Sequence, residues 1–294
     1  MGWYRKLAQA ALPDPDVRVP WRPTGCDVTC LSRDSPLTVW WLLRILRFLA
    51  LSVCFALTMG LVALAPKCGR LSRCAVWAGS RSGLFVMGVS VRSLPLLGHP
   101  ISRPSARLPG VLVVSRHMSW LDILVLQAVY GPMRMLAMSE LVTWPVLGWL
   151  ARQVGTVFID RDHLLALPAT VAEVTSALRA GETFGAFPEG ATTCGRHALP
   201  WRSAVFQAAV DAKAEVLVVR LSYFAAGQPT SHAALLRGET AWSSLWRLLK
   251  LRDVAAELGA EFLLSPSSPC TRRDLAAEAV TVATVELAQA TGAL

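Results

Sequence analysis

The apolar positions of this chain fall into two regimes. From Leu37 to Ala65 they are nearly continuous, LTVWWLLRILRFLALSVCFALTMGLVALA, and charge interrupts them only at Arg44 and Arg47. The clean run Phe48–Ala65 would span about 27 Å as a helix, just enough to cross a hydrocarbon core. Trp40 and Trp41 stand where an interfacial belt would lie, and Lys67, Arg70, Arg73 and Arg81 follow the run. Basic residues therefore flank both ends, and the positive-inside count leans only slightly towards a cytoplasmic C-terminal side. A second apolar patch, Ala75–Val91, is broken by Arg81. Two arrangements fit: the first run crosses the bilayer, or the two patches form a helical hairpin lying in one leaflet.

Beyond Gly110 the pattern changes to short blocks. Val111–Ser115, Met133–Met138, Gly155–Ile159, Thr183–Phe187, Glu215–Leu221 and Val254–Leu264 read as strands. Trp120–Tyr130, Glu140–Ala151, Leu164–Ala180, Leu199–Lys213, Trp242–Leu251 and Asp274–Ala290 read as helices, the second kinked or broken at Pro145. Trp242–Leu251 fits either the membrane interface or packing on the sheet. Strands and helices alternating with short gaps predict an α/β layered domain. The chain then divides into a mobile arm (1–36), a membrane-associated helical segment (37–92), a proline-bearing linker (93–108), the α/β domain (109–264), and a linker with a terminal helix (265–294).

Composition narrows the function. Among 294 residues the formal net charge is +9, yet charged residues make up only 17%. A basic but greasy chain points to a membrane surface carrying anionic lipid rather than to nucleic acid, for which no basic repeat, RNP-like stretch or zinc-finger spacing is present. Seven scattered cysteines predict a reducing compartment and no disulfide framework. Cys26 and Cys30 have three residues between them, but no second pair completes a metal site. The expectation is unpaired thiols and no metal.

The candidate chemistry lies in Val111–Asp122, VLVVSRHMSWLD, where a buried-strand pattern runs into His117 and Asp122 follows at the fifth place. A histidine that takes a proton and a carboxylate that orients it are the minimum kit for activating a hydroxyl. On a regular helix an i,i+5 pair lies about 140° apart, so the two meet only if the backbone bends between them. Ser119 as N-cap supplies that bend, with Asp122 at the third helical position and His117 in the turn before it.

Three ordered blocks then add up: His117-Met-Ser-Trp-Leu-Asp122, Gly155-Thr-Val-Phe-Ile-Asp-Arg161 and Phe187-Pro-Glu-Gly190, each at a strand's end. Together they resemble the 1-acylglycerol-3-phosphate acyltransferase family, the lysophospholipid acyltransferases, over roughly Pro109–Tyr223. The resemblance implies a glycerolphosphate-acyltransferase-like layered sheet with flanking helices, preceded by the membrane-associated segment. It implies His117 as general base and Asp122 as its orienting partner. It also implies Arg161 gripping the acceptor's phosphate and Glu189 and Gly190 positioning the acceptor, Gly190 through a tight turn. The acyl donor would be acyl-CoA or acyl carrier protein, with no bound cofactor and no acyl-enzyme. The default acceptor is 1-acylglycerol-3-phosphate, at the cell membrane, with the active domain on the cytoplasmic face. Family members often read F-P-E-G-T-R, whereas Ala191 and Thr192 follow Gly190 here. That departure resembles members acting on lyso-ornithine lipid or other lysolipids; two readings fit Arg196 and Arg202, replacement of the missing charge or simple solvation. A proline usual in the family's fourth block is absent from Val216–Arg220. The readings from other classes are a serine lipid hydrolase, which the lack of any G-x-S-x-G disfavours, and a non-catalytic lipid-binding protein, which an intact His117 and Asp122 fit poorly.

Overall fold

The computed structural model describes residues 25–31, 37–65, 69–93, 110–160, 164–266 and 270–290. Most of the expected arm and almost all of the expected 93–108 linker lie outside these residues. Two helices come first, α1 (Trp41–Leu64) and α2 (Gly69–Met87). The elements that follow are β1 (Val89–Ser93), β2 (Leu112–Ser115), α3 (Leu121–Tyr130), β3 (Arg134–Met138), α4 (Pro145–Gln153), β4 (Val157–Ile159), α5 (Leu167–Arg179), β5 (Phe184–Ala186), α6 (Ala204–Ala212), β6 (Val216–Ala225), β7 (Gln228–Pro229), α7 (Ala241–Lys250), β8 (Val254–Leu264) and α8 (Arg272–Ala290). Short single-turn helices at Val28–Cys30, Ser139–Thr143 and Leu164–Ala166 join them. The expected break at Pro145 is real: proline opens α4 at its first turn, where its missing N–H has no helical partner to lose.

The sheet runs β1-β8-β6-β2-β5-β3-β4, with β7 folded back on β6. β6 from β2 through to β4 is parallel, and β8 is antiparallel to β6. Each central strand is buried on both faces. Val111 and Val113 join the core under α2, α3 and α7, while Leu112 and Val114 join the core under α5, α6 and α8. That is why the predicted strand reads as an unbroken apolar run. Fully buried Leu121, Leu126 and Leu248 anchor one layer and Phe206 and Leu275 the other.

The patch Ala75–Val91 packs along α1 as the second arm of a helical hairpin, with Gly79 against Thr58 and Gly83 against Leu51. Its helix stops at Met87, and the chain turns through Gly88 (φ +72°) into edge strand β1, which pairs in parallel with β8. The α/β body holds α2 as well: Leu84 and Met87 enter the core, Arg73 pairs with Glu182 at 2.7 Å, and Arg81 donates to the Ala128 carbonyl. The terminal helix, expected beyond a linker, is also part of the body, since Leu275, Ala276, Ala279 and Ala283 of α8 are buried against the sheet. By contrast α1 keeps an exposed apolar face over most of its length, with Leu49, Val53, Leu57, Leu61 and Leu64 turned outward. It is the one helix among the described residues long and apolar enough to cross a membrane. Arg44 and Arg47 do not interrupt it to no purpose. Arg47 donates to the Leu251 carbonyl at 2.8 Å, and the Arg44 guanidinium lies 3.8 Å over the Trp246 ring. Both cations are used to dock the start of α1 on the end of α7.

Candidate active site

The parallel strands β2, β5 and β4 deliver their C-terminal ends to one edge, where sites in open α/β sheets form. β2 ends at Ser115 and α3 begins at Leu121, one residue later than predicted, so Asp122 stands at the second helical position rather than the third. Ser119 still makes the bend. Its Oγ accepts from the Leu121 N–H at 3.2 Å and its carbonyl from the Asp122 N–H at 3.1 Å. The Asp122 carboxylate reaches back and accepts from the Ser119 N–H at 2.8 Å and the Met118 N–H at 2.7 Å. This is the logic of a capping box, with an aspartate closing the tighter loop.

The same bend brings the ring of His117 to the carboxylate: Nδ1 lies 2.8 Å from Asp122 Oδ2. Tyr223, on neighbouring β6, donates its hydroxyl to Asp122 Oδ1 at 2.6 Å. Burial, and then the adjacent carboxylate charge, push the Tyr223 phenol well above its usual range, so it stays a donor. A carboxylate surrounded by donors accepts from Nδ1–H, which leaves the lone pair on Nε2. The imidazole is also clamped from one side, stacked on Phe187 at 4.0 Å between centroids and 9° between planes. His117 keeps 19% of its side-chain surface open to solvent while Asp122 keeps 1%. A fixed tautomer, a fixed ring plane and an accessible Nε2 are what a general base needs.

Glu189 lies beneath this turn. Its side chain has no exposed surface, and its oxygens accept from Arg116 Nε at 3.1 Å, the His117 N–H at 3.1 Å and the Leu199 N–H at 3.4 Å. Burial pushes its carboxyl above the usual range; the Arg116 charge and the His117 N–H pull the other way. The carboxylate expected to position the acceptor is engaged with protein groups, and it holds the backbone of His117. Gly190 closes the Phe187–Gly190 turn at φ +71°, donating its N–H to the Phe187 carbonyl at 3.0 Å.

Arg161 lies outside the described residues, although β4 carries Asp160 to the same edge of the sheet. Thr192 turns its hydroxyl to the Leu235 carbonyl at 2.6 Å. Arg196 donates to the Cys30 carbonyl at 2.8 Å and is held by that backbone. Sequence reasoning assigned Arg116 no role and missed Tyr223. A signal for Arg116 existed, since a lone cation between an apolar strand and a histidine needs an acid. The structure also supplies what Cys26 and Cys30 lacked. Cys194 and His197 join them, and the four ligand atoms lie within 4.8 Å of one another.

An α/β sheet with a histidine–carboxylate pair at a strand's C-terminal end defines a site able to activate a hydroxyl. Residues 100–222 match the family model described as Acyltransferase. The chain is 35% identical over 164 residues to the 1-acyl-sn-glycerol-3-phosphate acyltransferase of Neisseria gonorrhoeae, covering 55% of this chain and 64% of that protein. It is 35% identical over 153 residues to the lyso-ornithine lipid O-acyltransferase of Pseudomonas aeruginosa, covering 51% and 57%. The chain thus spans less than two thirds of the length of these curated relatives. The crystal structure of the 1-acyl-sn-glycerophosphate acyltransferase PlsC from Thermotoga maritima shares the fold, with a TM-score of 0.60 at 20% identity over 85% of this chain and 95% of that one.

Proposed function

We propose that this chain is a membrane-associated lysolipid O-acyltransferase. It moves a fatty acyl group from the thioester of acyl-CoA or acyl carrier protein to the free hydroxyl of a lysophospholipid. The observation that carries this is the His117–Asp122 contact with Nε2 left open at the sheet edge. Nε2 takes the hydroxyl proton of the acceptor as its oxygen attacks the thioester carbon. The tetrahedral intermediate collapses, the C–S bond breaks, and the imidazolium returns the proton to the leaving thiolate. The products are an ester and a free thiol, with no acyl-enzyme between. Asp122 stabilises the imidazolium, and Tyr223 together with two backbone N–H groups holds Asp122. Glu189 and Arg116 act as positioning residues beneath the histidine rather than as contacts to the acceptor.

Lysophosphatidic acid is the acceptor this reading favours, with Arg161 as the phosphate grip, because a guanidinium matches a phosphate bidentately. Lyso-ornithine lipid is the second reading, favoured by Thr192 in place of the arginine common in the family and by the relatives bearing that name. An acceptor panel incubated with purified protein and labelled acyl donor decides between them. On lysophosphatidic acid, Arg161→Ala should raise the apparent KM by roughly 10–100-fold, the loss of one charge-assisted contact, and leave the donor's KM within a factor of two or so. An equal rise in both removes the proposed role, and turnover on lyso-ornithine lipid alone selects the second reading. Free fatty acid released without any acceptor would select a hydrolase instead.

The exposed apolar face of α1 supports membrane association, with Trp144, Val146 and Leu147 exposed on the neighbouring α4 region. We place the α/β body on the cytoplasmic side. Replacing Leu57 and Leu61 together by Lys puts two charges where each costs about 2.5–3.5 kcal/mol at a bilayer centre. The variant should move from the membrane pellet to the supernatant at high salt; full retention in the pellet would show that another surface anchors the chain.

A further inference from the structure

We propose that Cys26, Cys30, Cys194 and His197 form a structural zinc site that pins residues 25–31 to the loop following Phe187–Gly190. The inference is independent of the acyl-transfer reading. It stands on the geometry of four side chains drawn from two distant segments, all with ligand atoms within 4.8 Å of one another. A tetrahedral zinc with Zn–S of about 2.3 Å and Zn–N of about 2.0–2.1 Å sets sulfurs about 3.8 Å apart and a sulfur about 3.6 Å from a nitrogen. Here the Cys26 and Cys194 sulfurs are 3.7 Å apart, and His197 Nδ1 lies 3.7 Å from the first and 3.2 Å from the second. A disulfide needs its sulfurs at about 2.05 Å, so this spacing suits a shared ion and not a covalent bridge.

The backbone is built to present these ligands. Between Cys26 and Cys30 a single helical turn, Val28–Cys30, is capped by Asp27, whose carboxylate accepts from the Thr29 N–H at 2.9 Å. Cys194 and His197 are separated by Gly195 at φ +86° and Arg196. The positive φ at Gly195 favours glycine, and an added Cβ would also displace the flexible end of the Met118 side chain. The carbonyls around the ligands are tied down: Arg196 and Ser231 donate to the Cys30 carbonyl, Arg237 N–H to the Cys26 carbonyl, and Arg116 to the His197 carbonyl. Three thiolates and an imidazole in a closed set of four select zinc over magnesium or calcium, and leave no open position for catalysis.

Packing shows why an ion belongs there. The local core consists of Cys26, Cys194, Ala234 and Leu236, with Cys30 and Leu31 against it. Such small side chains bury little apolar area, and a structural metal commonly supplies folding energy where a core is too small. The loop it would brace touches the candidate active site at both ends. Thr193 N–H donates to the His117 carbonyl at 2.8 Å, and Arg116, the partner of Glu189, donates to the carbonyl of His197.

The test uses the full chain, purified in detergent under reducing conditions with a tag that does not chelate, and measures metal by mass spectrometry. We expect about one zinc per chain, and less than about one tenth as much in Cys194→Ser and in Cys26→Ser, with Cys270→Ser unchanged as the control. Because a ligand variant that fails to fold would also lose metal, a second measurement uses the unaltered chain. Exchange of zinc for Co2+ should produce the thiolate charge-transfer band and the intense visible bands of a tetrahedral sulfur-rich site. Chain purified with reduced thiols that carries no zinc and gives no such Co2+ spectrum overturns the proposal. So does zinc retained by the Cys26→Ser/Cys194→Ser double variant.

Discussion

His117→Ala should lower acyl transfer by roughly 10²–10⁴-fold, the range contributed by a positioned general base. Its effect on folding should be small. The ring is partly open to solvent, and what the substitution removes is one stacking contact with Phe187 and one hydrogen bond to Asp122. Asp122 keeps three other donors, from Met118, Ser119 and Tyr223, so no buried charge is stranded. The expected pattern is a collapse in kcat with nearly unchanged KM for donor and acceptor, since binding them falls to other groups. Labelled acyl donor, lysophosphatidic acid and a thermal melt provide the readouts. Transfer within threefold or so of the unaltered chain, at matched stability, would remove general-base catalysis from the account.

Much of this site could be read from residues alone, because its chemistry is local. His117, Ser119 and Asp122 lie within six positions, and the requirement that an i,i+5 pair meet across a bend needs no tertiary information. The central strands were legible for a similar reason: burial on both faces leaves an unbroken apolar run. What was not legible depends on pairings across long separations. Val89–Ser93 looks like the tail of an apolar patch until its partner β8 is in place. Tyr223 stands beyond the predicted end of its strand, which runs on to Ala225 because β8 pairs with β6 along its whole length. Arg116 finds Glu189 across 73 positions, and a C-x-x-x-C and a C-x-x-H are each too common to be joined without a fold. Glu189 is a similar case: its place in a family-like block implies that it positions the acceptor, and only the fold reveals that its neighbours in space are three protein donors.

Asp122→Asn separates the charge of this carboxylate from its shape, and we expect it to lower kcat by about 10²–10³-fold. The amide oxygen can take the place of Oδ2 and keep the bonds from the Met118 and Ser119 N–H groups and from His117 Nδ1–H. The NH2 group then faces Tyr223, whose hydroxyl can turn from donor to acceptor. The tautomer, the bend and the start of α3 thus survive. What disappears is the negative charge beside the imidazolium formed when the lipid hydroxyl loses its proton. Two unit charges about 4 Å apart attract by about 4 kcal/mol at an effective dielectric of about 20. That sets a ceiling near 10³-fold at about 1.4 kcal/mol per decade. Asp122→Ala should differ in kind, because it leaves two buried N–H groups and a phenol without partners at about 1–3 kcal/mol each and therefore lowers the melting temperature as well as the rate. If the charge acts only through the ring, the His117→Ala/Asp122→Asn double variant should be no slower than His117→Ala alone. A further hundredfold or so loss in the double variant would mean that Asp122 reaches the reaction by a route that does not pass through His117.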